Sequence, residues 1–255
     1  MAKKRLVFTL LYQQGAFYLS RNFRLQRVGD LNWLNNNYRF SSIATAIDEL
    51  VILDVSRQPR DIEAFCAMAA EVSANCFIPL TLGGGITTLE QAETLIRNGA
   101  DKLILNTALA SYPELVHELV RIYGSQCIVA SVDYRVEADS FTVYVEQGQK
   151  RLDRPLARYL DELEDLQVGE LYLNCIDRDG TGQGYCLEVL EQLPPDFHLP
   201  LIMAGGAGNL HHLLAGLTCP QIDAAATANL FNFMGDGLPR ARAHLIENVI
   251  YMANW

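Results

Sequence analysis

The stretch at residues 78–109, IPLTLGGGITTLEQAETLIRNGADKLILNTAL, returns in altered form roughly half a chain later, at residues 199–230, as LPLIMAGGAGNLHHLLAGLTCPQIDAAATANL. In each copy an apolar strand runs into glycines, a helical pattern follows, and a second apolar strand closes the unit. The match continues upstream, where Asp48-Glu49-Leu50 faces Gly169-Glu170-Leu171. Two matching halves predict a duplicated half-barrel. A glycine cluster in each half predicts a ligand that carries two phosphates.

Working outward, eight short apolar runs fall at residues 5–11, 50–55, 78–82, 102–106, 127–133, 171–176, 199–204 and 223–228. Helical patterns at 89–97, 112–123, 156–166, 186–192 and 239–252 lie between or after them. Strand and helix in unbroken alternation imply a parallel sheet, and a doubled set of four strands closes most naturally as a (β/α)8 barrel; an open doubly wound sheet is the other solution. Residues 136–152 break the pattern with an alternating strand pair around Gln147-Gly148, which predicts a hairpin after strand five.

The 255 residues, 50% hydrophobic and 20% charged, suit a single barrel domain spanning 1–255. A formal charge of −10 argues against wholesale nucleic-acid binding and leaves room for a local site for a phosphorylated metabolite. No apolar run approaches the ~18 residues of a membrane span, and Met1-Ala2-Lys3-Lys4-Arg5 leads straight into a strand pattern, so a cytoplasmic protein without membrane contact is expected. Cys66, Cys76, Cys127, Cys175, Cys186 and Cys219 show no C-x-x-C spacing and read as reduced thiols. The five histidines make no metal-binding spacing, and no metal or cofactor is expected.

In a parallel barrel the chemistry sits at the carboxyl ends of the strands. The residues there are Leu11, Asp54, Gly83-Gly84-Gly85, Asn106-Thr107, Asp133, Asp177-Arg178-Asp179-Gly180-Thr181, Gly205-Gly206 and Ala228-Asn229. A glycine turn lets an anion approach backbone N–H groups, and a following helix N-terminus favours negative charge. A glycine pair also serves a plain tight turn; the two pairs at matching positions favour phosphate. Between Asp177 and Asp179, Arg178 reads as a guanidinium held by two carboxylates, suited to acid or base work or to hydroxyl recognition. Asp133 ends the run CIVASVD, where a desolvated carboxylate is either a proton-transfer group or a cap on the next loop.

The series DELVILD, IPLTLGGGI, GADKLILNTA, YGSQCIV, GELYLNCIDRDGTGQGY and AGGAGNL is similar, over nearly the whole chain, to the cyclase subunit of imidazole glycerol phosphate synthase, the HisF family. The resemblance implies a (β/α)8 barrel that receives ammonia from a glutaminase (HisH-like) subunit in a heterodimer, through the centre of the barrel. It implies a charged gate of Arg5, Glu49, Lys102 and Glu170, with Asp101 on the glutaminase-facing side. It implies phosphate contacts at Gly85, Asn106 and Thr107 in one half, and at Asp179, Gly180 and Gly206 in the other, with Asn229 where the family has serine. Gly84, Thr181, Gly205, Asp54 and Asp177, at the same strand ends, are read as further ligand-binding candidates. The family's general base matches Asp133. Its general acid falls on Leu11, and the basic residue of its substrate loop falls on Leu19.

A leucine neither donates nor accepts a proton, so ordinary cyclase turnover is not expected. Related paralogues stand beside a glutaminase and a sugar amidotransferase in surface-polysaccharide pathways, where ammonia converts an acetamido sugar to an acetamidino sugar. The resemblance and the lost acid together point to that role. The histidine-pathway lyase, with Asp54 or Asp177 as a relocated acid, and a non-catalytic phosphate-sensing scaffold are the two alternatives.

Overall fold

The computed structural model describes residues 3–38, 43–57, 59–74, 77–138 and 140–253. In chain order the strands are β1 (Arg5–Gln13), β2 (Ala16–Arg21), β3 (Arg24–Gly29), β4 (Glu49–Asp54), β5 (Leu80–Gly83) and β6 (Lys102–Leu105). They continue as β7 (Ile128–Glu137), β8 (Ser140–Val145), β9 (Lys150–Pro155), β10 (Glu170–Cys175), β11 (Leu201–Ala204) and β12 (Ala224–Thr227). The helices are α1 (Leu31–Asn37), α2 (Ile62–Ser73), α3 (Leu89–Arg97), α4 (Thr107–Ser111), α5 (Pro113–Tyr123), α6 (Leu156–Asp165), α7 (Leu210–Thr218) and α8 (Gly237–Glu247).

The order β1-β4-β5-β6-β7-β10-β11-β12 returns to β1 through parallel pairs alone. The molecule is a closed (β/α)8 barrel, and its eight staves are the eight apolar runs. The segment 186–192 is a 3-10 helix, Leu187–Gln192, rather than an α-helix, and the last helix stops at Glu247, short of 252. Beyond it Met252 bridges to Lys4, which ties the chain's end to the start of β1.

Alternation along each strand divides the apolar residues into two cores. Leu6, Phe8 and Leu10 of β1 face outward into the layer under the helices, whereas Val7 joins Val51, Ile104, Val129, Tyr172 and Ile202 inside the barrel. Apart from Ile202, the inward positions of β11 and β12 are small: Ala204, Ala224 and Ala226.

A carboxylate fixes register at three of the four seams between consecutive staves of a pair. Asp48 donates its N–H to the Leu6 carbonyl at 2.8 Å and accepts the Leu6 N–H on Oδ2 at 2.7 Å. Asp101 does the same with Leu80, and Asp223 with Leu201. At the fourth seam Gly169 donates to the Ile128 carbonyl, and the Ile128 N–H turns to the Ser125 carbonyl. A side chain at Gly169 would strike the Ser125 backbone, which is why the aspartate is missing there.

Two antiparallel extensions lie over the carboxyl end of the barrel. One, β8 and β9, continues β7. The other, β2 and β3, continues β1 and has no counterpart in the sequence reading. Its tip, Asn22-Phe23, has positive φ at both residues, a strained turn for side chains larger than glycine.

Candidate functional site: the two mouths and the bore of the barrel

At the amino-terminal mouth the inward residues of β1, β4, β6 and β10 meet in a closed ring of charge. Arg5 pairs with Glu49 at 3.1 Å and with Glu170, while Lys102 lies 2.9 Å from each of the same two carboxylates. Thr81 donates a further bond to Glu49 at 2.6 Å. Burial works against the charge on Arg5 and Lys102, but the glutamates outweigh it and hold both groups above their ordinary range. The four residues assigned to a gate are thus brought together. Asp101 stands near this end as well, with one carboxylate oxygen committed to the Leu80 N–H.

Above the ring the bore is lined mainly by hydrocarbon, with Ser131 of β7 level with Tyr172 and one hydroxyl pair across it. Tyr172 on β10 reaches Thr9 on β1, hydroxyl to hydroxyl, at 3.0 Å, and both residues are buried. Neither was among the residues singled out from the sequence.

At the carboxyl-terminal mouth the centre is Asp133. Its Oδ2 accepts from Asn106 at 3.1 Å and its Oδ1 from Asn174 at 3.0 Å. Burial pushes its carboxyl up to about 7, the Asn174 amide opposes the rise, and the Asp179 charge adds to it. Of the two roles open to Asp133, capping is not what its side chain does: both bonds come from side-chain amides on neighbouring staves. A buried carboxylate poised near neutrality is suited to proton transfer. Leu11 shares the inward face of β1 with Val7 and Thr9 and is buried, so an apolar side chain faces the same mouth.

The two glycine turns differ from a simple anion cradle. Gly84 and Gly85 both have positive φ, and a Cβ on Gly85 would collide with the Arg60 guanidinium. Arg60 is held by the Ser56 carbonyl at 2.9 Å and stands 3.9 Å from Asp54, beside a cavity of about 80 Å³ that Gln91 also lines. The helix after this turn is not an open N-terminus. α3 begins at Leu89, and a capping box of Thr88 and Gln91 satisfies its first amides. Asn209 likewise caps α7 after Gly205-Gly206. Asn106 spends its amide on Asp133 and the Ser131 carbonyl, and the Thr107 hydroxyl accepts the Glu146 N–H.

In the second half Asp179 accepts from the Ser20 hydroxyl and the Phe23 N–H, so it anchors the β2–β3 tip over the mouth. Burial raises its pKa, against those two bonds. Gly180 must be glycine because the Ser20 carbonyl lies where its Cβ would be. Asn22 adds amide bonds to the carbonyls of Ile176 and Asp177. Thr181 closes its own turn on the Arg178 carbonyl, and the Asn229 side chain accepts the Asn232 N–H at 3.0 Å.

One reading is corrected. Arg178 is not held between two aspartates: it bonds Gln183 at 3.2 Å. Asp177 faces Arg135 at 3.7 Å and accepts the Val136 N–H, while Asp179 serves the hairpin. The chain passes through Asp177-Arg178-Asp179 in a turn whose three side chains diverge. Leu19, on β2 opposite Gln26, packs against the outer core.

Of the cysteines, Cys66, Cys127, Cys175, Cys186 and Cys219 are free thiols, and Cys76 lies outside the described residues. Among the described residues no group of three or more His, Cys, Asp or Glu could hold a metal ion, and no helix is long and apolar enough to cross a membrane.

Comparison with known proteins places these features in a family. A family model described as histidine biosynthesis protein matches residues 38–235. A protein of Parasynechococcus marenigrum, provisionally named imidazole glycerol phosphate synthase subunit hisF2, is 44% identical over 256 aligned residues, covering 100% of this chain and 95% of the relative. The imidazole glycerol phosphate synthase subunits HisF of Chlorobaculum tepidum and Chlorobium phaeovibrioides are each 35% identical, covering 98% of this chain and 98% of their own length.

Proposed function

The chain belongs to the HisF family, the cyclase-type synthase subunits of imidazole glycerol phosphate synthase, and from that premise we propose that it is the ammonia-using half of a glutamine amidotransferase whose acceptor is not the histidine-pathway intermediate. A HisH-like glutaminase docks on the amino-terminal face. Its ammonia enters past Arg5, Glu49, Lys102 and Glu170 and travels up the bore. Four charges in a ring across a barrel axis cost desolvation energy that apolar residues would avoid, which favours a working gate over a stabilising device.

The observation that carries the reading is the contrast between the two mouths: a complete charged ring at one end, and the buried leucine at position 11 on the Asp133 face at the other. In the family's reaction an acid and a base flank the intermediate, and here only the base remains. Ammonia delivered to such a site suits amination of an acceptor activated elsewhere. The resemblance suggests the conversion of an acetamido to an acetamidino sugar by a sugar amidotransferase. A phosphorylated ligand at Gly84-Gly85 or Gly206 fits the same end.

Titration with the glutaminase from the same organism tests the partnership, and a complex at micromolar concentration is expected. Absence of a complex would remove the conduit. Turnover of the family's bis-phosphorylated ribulosyl substrate with ammonia added directly, at the rate of an ordinary cyclase, would return the chain to histidine biosynthesis.

A further inference from the structure

The bore contains a feature that neither the gate nor the upper mouth explains. Val7, Val51, Ile104, Val129 and Ile202 line it with hydrocarbon, yet Tyr172 crosses it to Thr9. The order β10-β11-β12-β1 means that the tyrosine must pass over two staves to reach its partner. Those two staves supply Ala204, Ala224 and Ala226, the small residues that leave room for the ring. The crossbar and the alanines are one arrangement.

Its chemistry is specific. A hydroxyl pair buried in hydrocarbon satisfies itself by one mutual hydrogen bond. Neutral ammonia is a small molecule that offers one lone pair and three N–H groups. The Tyr172 hydroxyl can donate to its nitrogen while the Thr9 oxygen accepts one of its hydrogens, so one bond opens and two form. Ammonium offers no lone pair, and carrying its charge into the bore costs far more than a hydrogen bond returns. Water also fits two hydroxyls, but the hydrocarbon of Val7, Val51, Ile104, Val129 and Ile202 between the ring and the pair offers it few partners on the way.

We propose that Tyr172 and Thr9 form an inner gate, a station between the charged ring and Asp133 that admits neutral ammonia by exchanging its own hydrogen bond. The proposal rests on the conduit reading above and adds two positioning residues to it. Burial holds the Tyr172 hydroxyl well above the usual tyrosine range, so it stays protonated under mildly basic conditions.

The test uses the full chain with its tyrosines labelled at the 13C ζ position. The Tyr172 resonance is identified by its loss in Tyr172→Phe. Ammonium chloride is titrated near pH 9, where part of it is free ammonia, with potassium chloride as the control. A saturable shift of the Tyr172 resonance is expected, with the apparent affinity weakened about 5-fold in Thr9→Val and retained in Thr9→Ser, which keeps the hydroxyl. A resonance that follows potassium chloride alone, or a Thr9→Val response equal to the parent's, would make the pair a plug rather than a gate. The two readings separate cleanly. Glutaminase binding without the shift removes the inner gate alone, and the shift without glutaminase binding removes the conduit while supporting the ammonia station.

Discussion

Asn106 donates from Nδ2 to Oδ2 of Asp133 at 3.1 Å, which joins the last stave of the first half-barrel to the first stave of the second at the mouth where chemistry is expected. The other oxygen of Asp133 is held by Asn174. The carboxylate is therefore fixed from both sides while buried, and its proton affinity depends on its two amide neighbours.

Carboxyl-carbon NMR on the labelled protein should find Asp133 titrating near its raised value of about 7. Asn174→Ala removes a bond that favours the charged form, so the midpoint should rise further. A midpoint that stays in place or falls in that variant would mean the amide does not stabilise the carboxylate.

The same shift sets a pH dependence of stability. The folded-state value of about 7 lies above the ordinary aspartate value of 3.8, so between these two the native chain binds more protons than the unfolded one. Stability from this group is full below the lower value and is lost as pH rises toward the upper one. Asp133→Asn should flatten that decline and leave the variant more stable at pH 8 by on the order of 2 kcal/mol, as read from urea unfolding at several pH values. A decline equally steep in the variant would assign it to other groups.

Leu11→Asp restores a carboxyl to the inward face of β1, on the mouth that holds Asp133. With ammonia supplied directly, turnover of the bis-phosphorylated ribulosyl substrate should rise about 100-fold over the parent chain. Single-turnover assays on both proteins measure it. No gain, in a variant that folds, would place the obstacle in the roofing hairpins rather than in the missing acid.

The ring at the amino-terminal mouth should be costly to break. Glu49→Ala leaves Arg5 and Lys102 sharing Glu170 and removes the acceptor of the Thr81 hydroxyl, at a cost of about 3 kcal/mol. Denaturant midpoints for the parent and variant decide the matter, and a difference within error would show the ring to be energetically idle.

Crystals grown in sulfate should show an anion first at the Gly85 turn, where the Arg60 guanidinium stands against the glycine and the adjacent stave β6 ends just before Asn106-Thr107. Arg60→Ala should abolish that density while leaving any at Gly206. Density at Gly206 alone would reverse the order.

The eight staves were legible because strand and helix periods alternate along most of the chain, and the duplicated glycine turns marked which ends of the staves belong together. The β2–β3 extension was not legible. Its tip turns at Asn22-Phe23, which lacks the glycine that usually marks a hairpin, and the carboxylate that pins it lies far along the chain at Asp179. Asp133 was singled out by its place at a strand end and the four ring residues by resemblance, and the structure brings each set to one mouth of the barrel. Neither route could find Tyr172 and Thr9, because a tyrosine on an inward strand position looks like any core aromatic until the alanines beneath it are seen. Arg178 failed for the opposite reason: neighbours in sequence at a turn need not be neighbours in space.

The aspartate ties at Leu6, Leu80 and Leu201, with Ser125 standing in at Ile128, recur once for every two staves. The chain therefore has a shorter rhythm than its two glycine halves announce. Each two-stave unit carries its own lock, so circular permutants opened between units should keep register, whereas a cut between Asp48 and Leu6 or between Asp223 and Leu201 would part a lock from its key. The β7–β10 seam lacks the aspartate tie at its amino-terminal end, and amide exchange should find the barrel opening at that end of the seam first.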